Sequence, residues 1–280
     1  MKNILSILAT LSLIITYIFG MGEITTSEGY ELSRSEKLTP SVSMFAGQGL
    51  CCDGEFFYTS GSMTGVGFTG LAVFDLEMKC LKRVMSAIPE EFRTEYQSDH
   101  IGGIDCAGGK LYAAVEGEGY KYNFVLVYDC KTLEYTGEFY NLTSEHLADG
   151  IPWLAVDGEN NLLYTSKFSD VSEILVYDLE SMELSKTIEL NETVNRIQGG
   201  SVYDGILYLS YDAAHSTDEQ VLAVNTEDGS VNLEFERHLP NYDNEAEDIC
   251  VYPLQDGTLF HIIDYDKLIC VNVMHYSKTN

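Results

Sequence analysis

The chain has 280 residues, of which 45% are hydrophobic, and this is enough apolar material to build a sizeable core. Its 44 acidic residues outnumber the 16 Lys and Arg residues, so the formal net charge is -28 at pH 7. A surface this acidic repels phosphate backbones and anionic lipid, which argues against nucleic acid as a partner and is typical of a soluble exported protein.

The N-terminal segment has the pattern of an export signal. Lys2 provides a positive charge, residues 4–19 form an apolar stretch, and Gly20-Met21-Gly22 offers small residues for cleavage. We therefore predict a signal peptide over 1–22 and a single domain over 23–280, with secretion to the periplasm or the cell exterior. An uncleaved N-terminal anchor is the alternative, and no second apolar stretch is long enough to cross a bilayer.

A short phrase then recurs along the chain at intervals of 47 to 54 residues. It contains two or three apolar residues, an aromatic residue or valine, and finally Asp or Asn. A period of about 45–50 residues is typical of a β-propeller or a similar array. The five copies are 71–75, 125–129, 174–178, 221–225 and 268–272.

Each copy of the phrase has similar surroundings. An apolar segment leads to a turn glycine, a strand with an aromatic residue at its centre follows, the phrase forms a third strand, and an alternating apolar–polar strand comes last. This order predicts one four-stranded antiparallel blade in every repeat. The turn glycines are Gly54, Gly108, Gly158, Gly205 and Gly257.

The fifth repeat lacks its last strand, because only a short polar tail follows the phrase. Residues 30–38 alternate in the same way as 182–190, which form the last strand of the third repeat. We therefore predict an all-β, five-bladed β-propeller of four-stranded antiparallel blades, with the ring closed by an N-terminal outer strand. Helix is expected only over one or two turns in 88–96 and in a second short insert, 143–147.

The chain contains seven cysteines, most of them within apolar strand patterns. We interpret them as small buried hydrophobic residues, with one or two disulfides as the alternative. The chain has no C-x-x-C pair, which argues against a metal-binding or nucleophilic role. Cys52 and Cys106 hold the same place in successive repeats, two residues before a turn glycine.

Five polar segments that contain glycine or carboxylates come directly before the predicted first strands. The loops that join blades lie on one face of a propeller, around the mouth of the central channel. We therefore predict a ligand site at that mouth, where glycines would allow a close approach of the backbone. The segments are 45–49, 98–103, 149–153, 195–200 and 244–248.

The side chains of these segments support two functions. We favour binding of a small molecule, glycan or peptide through Gln48, Asp99, Trp153, Arg196 and Gln198. The alternative is a hydrolase or lactonase in which Ca²⁺ polarises the substrate and His100 and Glu247 are catalytic. The candidate ligands for Ca²⁺ as cofactor are Asp99, Asp149, Glu245, Glu247 and Asp248.

The blade pattern, a turn glycine followed by Leu-Tyr and then Val-Tyr-Asp, resembles the broad group of secreted quinoprotein-like and NHL-like β-propellers, and more narrowly exported bacterial propellers. This resemblance covers nearly the whole chain and implies the fold, which hosts many functions. Residues 45–50 are faintly similar to the opening of glutamine cyclotransferases, with one extra residue before Gln48. Residues 244–249 are faintly similar to a phrase of phytase-like esterase propellers, with Ala246 in place of a glycine. Because of these departures, we predict neither glutaminyl cyclisation nor phytase-like esterase activity for this chain.

Overall fold

The computed structural model describes residues 24–212, 218–239, 244–266 and 270–279. Its strands form five antiparallel sheets, and the inner strand of each sheet contacts the inner strand of the next, including the fifth with the first. The fold is therefore the predicted five-bladed β-propeller. The predicted signal peptide lies outside the described residues. Within the described ranges, no helix has the length and apolar character needed to cross a membrane.

The first two described strands are β1 (Thr25–Thr26) and β2 (Tyr30–Lys37). They belong to the last two blades of the ring. Blades one and two follow. Blade one contains β3 (Leu50–Cys52), β4 (Phe57–Met63), β5 (Phe68–Phe74) and β6 (Cys80–Met85). Blade two contains β7 (His100–Ala107), β8 (Lys110–Glu116), β9 (Asn123–Asp129) and β10 (Tyr135–Asn141).

The other three blades repeat this order. Blade three contains β11 (Ala155–Asp157), β12 (Leu162–Thr165), β13 (Val171–Asp178) and β14 (Leu184–Val194). Blade four contains β15 (Ile197–Tyr203), β16 (Ile206–Tyr211), β17 (Asp218–Asn225) and β18 (Val231–His238). Blade five contains β19 (Glu245–Val251), β20 (Phe260–Asp266) and β21 (Cys270–Lys278), and β2 completes it.

Helices are short and lie between blades. They are α1 (Pro40–Ser43) and α2 (Glu90–Glu95), and single 3₁₀ turns occur at Thr64–Val66, Glu118–Tyr120 and Glu145–Leu147. The predicted helical insert at 88–96 is confirmed as α2, and the insert at 143–147 forms only a 3₁₀ turn.

The recurring phrase lies in the third strand of blades one to four, and the described part of its fifth copy, 270–272, begins β21. In β9 the residues Asn123 to Tyr128 are all buried, because both faces of this strand pack against neighbouring blades. The outer strand β10 has one face exposed to solvent, so partly buried and exposed residues alternate along much of it. Apolar clusters fill all five interfaces between adjacent blades, so the core is a ring of five wedges rather than one centre.

The N-terminal strand closes the ring as predicted. β2 pairs antiparallel with β21, from Tyr30 opposite Lys278 to Lys37 opposite Asn272. The Glu36 carboxylate lies 2.8 Å from His275 Nε2, which ties β2 to the middle of blade five. The N-terminal strand β2 and the last described strand, β21, therefore share one sheet.

The strand β1 was not predicted, because two residues are too few to show a pattern. It pairs with β18, with Thr25 opposite His238, and adds a fifth strand to blade four. The N-terminal segment thus crosses from blade four to blade five.

Candidate functional site

A buried carboxylate lies where the inner strands of the propeller converge. Asp248 is fully buried in β19, and its two oxygen atoms accept four backbone N–H groups. Oδ2 accepts from Leu50 at 3.0 Å and from Ile104 at 3.2 Å. Oδ1 accepts from Gly200 at 3.2 Å and from Ile249 at 2.9 Å. One carboxylate therefore connects blades one, two, four and five.

This use of Asp248 differs from the role of calcium ligand that the sequence predicts. Burial raises the pKa of the Asp248 carboxyl well above its usual range, and the hydrogen bonds from backbone N–H groups oppose that rise. The Asp248 carboxylate accepts four backbone N–H groups of the inner strands and is buried away from solvent. Its role in this structure is therefore to connect the blades.

The glycines of the predicted mouth segments lie where the inner strands of neighbouring blades come closest to one another. A Cβ on Gly199 would lie 2.4 Å from the Asp248 Cα, and one on Gly103 would lie 2.8 Å from the Trp153 Cα. One on Gly200 would lie 2.4 Å from the Trp153 ring. These glycines let inner strands pack against one another, so backbone approach to a ligand does not explain them. The segments 98–103, 195–200 and 244–248 also lie largely inside β7, β15 and β19 rather than before them.

Trp153 is a core residue in this structure. It is fully buried between blades three and four, and its Nε1 donates to Ser166 Oγ at 3.1 Å. The ring therefore presents no face to a ligand, which corrects the predicted binding role.

Arg196 is committed to an internal partner. Its Nε donates to the buried carboxylate of Asp212 at 3.0 Å, and its guanidinium lies 5.1 Å from the centre of the Phe168 ring. Both contacts hold it at the junction of blades three and four. Gln198 is half-buried and has no hydrogen-bond partner among the described residues.

A chain of four polar side chains crosses the mouth face from blade two to blade five. Glu116 Oε2 lies 2.9 Å from His100 Nδ1, and His100 Nε2 lies 2.6 Å from Gln48 Oε1. Gln48 Nε2 then donates to Glu247 Oε1 at 3.2 Å and to the Gly47 carbonyl at 2.7 Å. The two predicted catalytic residues, His100 and Glu247, are thus connected through Gln48.

The contacts of His100 restrict its chemistry. Its Nε2 is hydrogen-bonded to an amide oxygen, whereas its Nδ1 is buried and lies near a carboxylate oxygen without the geometry of a hydrogen bond. Burial, followed by the charges of Glu245, Asp212 and Asp248, raises the pKa of Glu247 well above its usual range. His100 therefore directs no free ring nitrogen toward solvent.

A pocket of about 370 Å³ opens beside the connected side chains of Glu116 and His100, over blades one and two. Asp99 and His100 were predicted to be part of a site, whereas the β8–β9 loop residues and Glu116 were not. The overlooked signal is the sequence Gly117-Glu118-Gly119-Tyr120, in which two glycines flank an acidic residue. The lining residues are Thr64, Asp99, His100, Glu116, Gly117, Glu118, Gly119 and Tyr120.

Gly150 shapes the wall of this pocket. Its φ is +108°, and a Cβ there would lie 2.1 Å from Glu116 Oε1 and 2.9 Å from the Tyr120 ring. The missing side chain lets the Ile151 N–H donate to Glu116 Oε1 at 2.7 Å. Tyr120 is 48% exposed and itself has a φ of +59°. Burial raises the pKa of its hydroxyl, and the charges of Glu116 and Asp149 add to the rise.

The five predicted calcium ligands do not converge. Asp99 lines the pocket, whereas Asp149 accepts the N–H groups of Phe168 at 3.0 Å and Ser169 at 2.9 Å. Glu245 is exposed at the start of β19. In the ranges that the structure describes, no three of these carboxylates lie close enough together to hold one cation.

A different cluster lies at the opposite end of the inner strands. Ligand atoms of Cys51, Asp105 and Cys106 all lie within 4.8 Å of one another. They are next to a cavity of about 290 Å³ that three further cysteines also line. Burial raises the pKa of Asp105 to about 7, while N–H groups of Val156 and Cys106 lower it. The described residues include all seven cysteines, and no disulfide joins any of them.

No local sequence pattern indicates this cluster, because its members belong to different repeats and only the packing of blade one against blade two brings them together. The matching positions of Cys52 and Cys106 in successive repeats were the available signal.

No protein-family model matches the chain, and no curated protein matches it. The structure establishes the five-bladed propeller, and a fold of this kind hosts many functions. Any conclusion on function must therefore come from the sites themselves.

Proposed function

We propose that this protein is a binding module for a small, donor-rich ligand, held in the pocket over blades one and two. The observation that supports it best is the chemistry of that pocket. The carboxylates of Asp99, Glu116 and Glu118 surround it, and the imidazole of His100 faces acceptors on both sides. The pocket therefore offers mainly hydrogen-bond acceptors and negative charge.

The size and shape of the pocket narrow the ligand class. A volume of about 370 Å³ suits a single sugar ring or the end of a peptide. The exposed Tyr120 ring offers an aromatic face for stacking or for a cation–π contact. A ligand with an ammonium group or several hydroxyls fits these groups, whereas a carboxylate or phosphate is repelled.

The geometry favours binding over the calcium-dependent hydrolase. A general base needs a free lone pair within reach of the substrate. In the present arrangement His100 Nε2 is hydrogen-bonded to Gln48, and His100 Nδ1 is buried 2.9 Å from Glu116 Oε2. Gln48 also donates to one oxygen of the buried Glu247. The carboxylates predicted to bind Ca²⁺ are dispersed over the mouth face.

A matched set of sugars tests the ligand chemistry. Glucosamine, glucose and glucuronate share one ring and differ in carrying an ammonium, a hydroxyl or a carboxylate. We expect isothermal titration calorimetry to give the order glucosamine, then glucose, with no measurable binding of glucuronate, because the pocket repels anions. Equal affinity for glucosamine and glucuronate, or tighter binding of glucuronate, would contradict the proposal.

Variants locate the binding. Asp99→Asn and Glu118→Gln remove charge from exposed side chains, so we expect both to fold normally and each to weaken glucosamine binding about fivefold to tenfold. Glu134→Gln is the matched control, since Glu134 is exposed on the same blade outside the pocket. If the two pocket variants bind as tightly as the control, the ligand lies elsewhere.

We also propose that the protein acts outside the cytoplasm, in the periplasm or the extracellular space, as a member of the broad quinoprotein-like and NHL-like group of propellers. The export pattern of 1–22 and the acidic composition support this location. We expect the mass of the exported chain to correspond to a start at Glu23. A chain that retains residues 1–22, or that stays in the cytoplasm, would contradict it.

A further inference from the structure

We propose that Cys51, Asp105 and Cys106 form a binding site for a thiophilic divalent metal, Zn²⁺, at the end of the propeller opposite the ligand pocket. Cys51 lies on β3 and the other two residues on β7, so the site joins the inner strands of blades one and two. It is separate in position and in chemistry from the acidic pocket at the mouth.

The distances suit zinc. The two sulfur atoms and the nearest carboxylate oxygen lie within 4.8 Å of one another. Zinc binds thiolate sulfur at about 2.3 Å and carboxylate oxygen at about 2.0–2.2 Å, which places tetrahedral ligands about 3.3–3.8 Å apart. A contraction of at most about 1.0–1.5 Å, within reach of cysteine side-chain rotation, therefore completes the three-ligand set.

The carboxylate is already oriented. Asp105 Oδ1 accepts the Cys106 N–H at 2.8 Å, and Oδ2 accepts the Val156 N–H at 2.7 Å. Each oxygen has a second lone pair, so a metal can bind without breaking either hydrogen bond. Hydrogen bonds of this kind hold metal-binding carboxylates in place in known sites.

The fourth position of the metal faces a cavity. The space of about 290 Å³ is lined by Asp105 and Cys106, together with further thiols from blades one, two and five. Three protein ligands and one open position are the arrangement of zinc sites that bind water or a small molecule. The thiols at this cavity are Cys52, Cys106, Cys130 and Cys250.

The ligand set selects the metal. Two thiolates are soft ligands, which favour zinc over calcium or magnesium. The formal net charge of -28 also raises the local concentration of cations around the protein. The cysteines of this region therefore have a use beyond packing.

Cobalt substitution tests the site in the full chain under reducing, oxygen-free conditions. We expect one Co²⁺ per chain, with the visible bands of tetrahedral cobalt and a thiolate-to-cobalt charge-transfer band, and displacement of cobalt by Zn²⁺. Cys51→Ser, Cys106→Ser and Asp105→Asn are expected to weaken binding about a hundredfold. Cys80→Ser is the control, because Cys80 lies on the outer strand of blade one and should bind like the parent.

A second measurement does not depend on folding of the variants. X-ray absorption of the zinc-loaded parent chain should show two sulfur atoms and at least one oxygen around the metal. A metal shell without sulfur, the absence of a thiolate band, or equal loss of binding in Cys80→Ser would overturn the proposal. A Cys51–Cys106 disulfide in protein isolated without reductant would overturn it as well.

Discussion

Replacement of Asp248 by Asn is expected to lower the free energy of unfolding by about 3–5 kcal/mol. The carboxylate accepts N–H groups from Leu50, Ile104, Gly200 and Ile249 at the axis of the ring. An amide keeps one acceptor oxygen but turns an NH₂ group toward two donors, which leaves those N–H groups buried without partners. Chemical denaturation followed by circular dichroism measures the loss.

Asp149→Asn is the matched control for this prediction. Asp149 also accepts two backbone N–H groups, but it is half-buried, and both donors belong to one loop. We expect a loss of about 1 kcal/mol, because water can reach the donors that are left free. Equal losses in the two variants would show that Asp248 does not hold the blades together.

Removal of the closing strand is expected to prevent cooperative folding. A chain that starts at residue 39 lacks β2, and so loses the whole pairing with β21 and the Glu36–His275 ion pair. It also loses the Tyr30 ring, which stacks on Phe235 with centroids 4.4 Å apart. Burial of each large apolar side chain contributes about 1.5–3 kcal/mol, so the summed loss approaches the entire stability of a typical domain.

Two comparisons make this test specific. A chain that starts at residue 28 lacks β1, the Ser27 contacts with blade four and the packing of Ile24 against the cluster between blades four and five. We expect it to lose about 1–2 kcal/mol, less than the loss of β2. A synthetic peptide of residues 28–39, added to the chain that starts at residue 39, should restore the thermal transition. A truncated chain as stable as the parent would contradict closure by β2.

The fold could be predicted because the sequence pattern of one blade spans only about 50 residues and occurs five times. Each blade carries the same order of turn glycine, aromatic strand and apolar phrase, and a missing strand in the fifth copy points to the alternating segment 30–38. Five repetitions of one weak pattern give a strong prediction of architecture. The strand β1 lacks this support, since two residues carry no period.

The site was predicted only in part, because residue type does not show which partner a side chain will meet. His100, Gln48 and Glu247 were placed together at the channel mouth, and in the structure hydrogen bonds connect them, while their predicted roles stay predictions. Trp153 was expected at the surface and is buried. Arg196 pairs with Asp212 across the hairpin of β15 and β16, a contact that the residue types alone do not reveal.

Two further groups depend on contacts between adjacent blades. The loop residues Glu118 and Tyr120 carry no recognised motif, and they become part of a pocket only when Gly150 brings blade three against Glu116. The thiols of Cys51 and Cys106 meet because blades one and two are adjacent. Both groups are tertiary features that no local pattern reports.

The central claim is that the pocket over blades one and two binds a donor-rich ligand, and a crystal structure of the chain soaked in glucosamine tests it most directly. We predict one sugar in this pocket, with its ammonium group within hydrogen-bond distance of a carboxylate of Asp99, Glu116 or Glu118 and its ring against Tyr120. An empty pocket at saturating ligand, or a sugar bound only at another place on the propeller, would contradict the account.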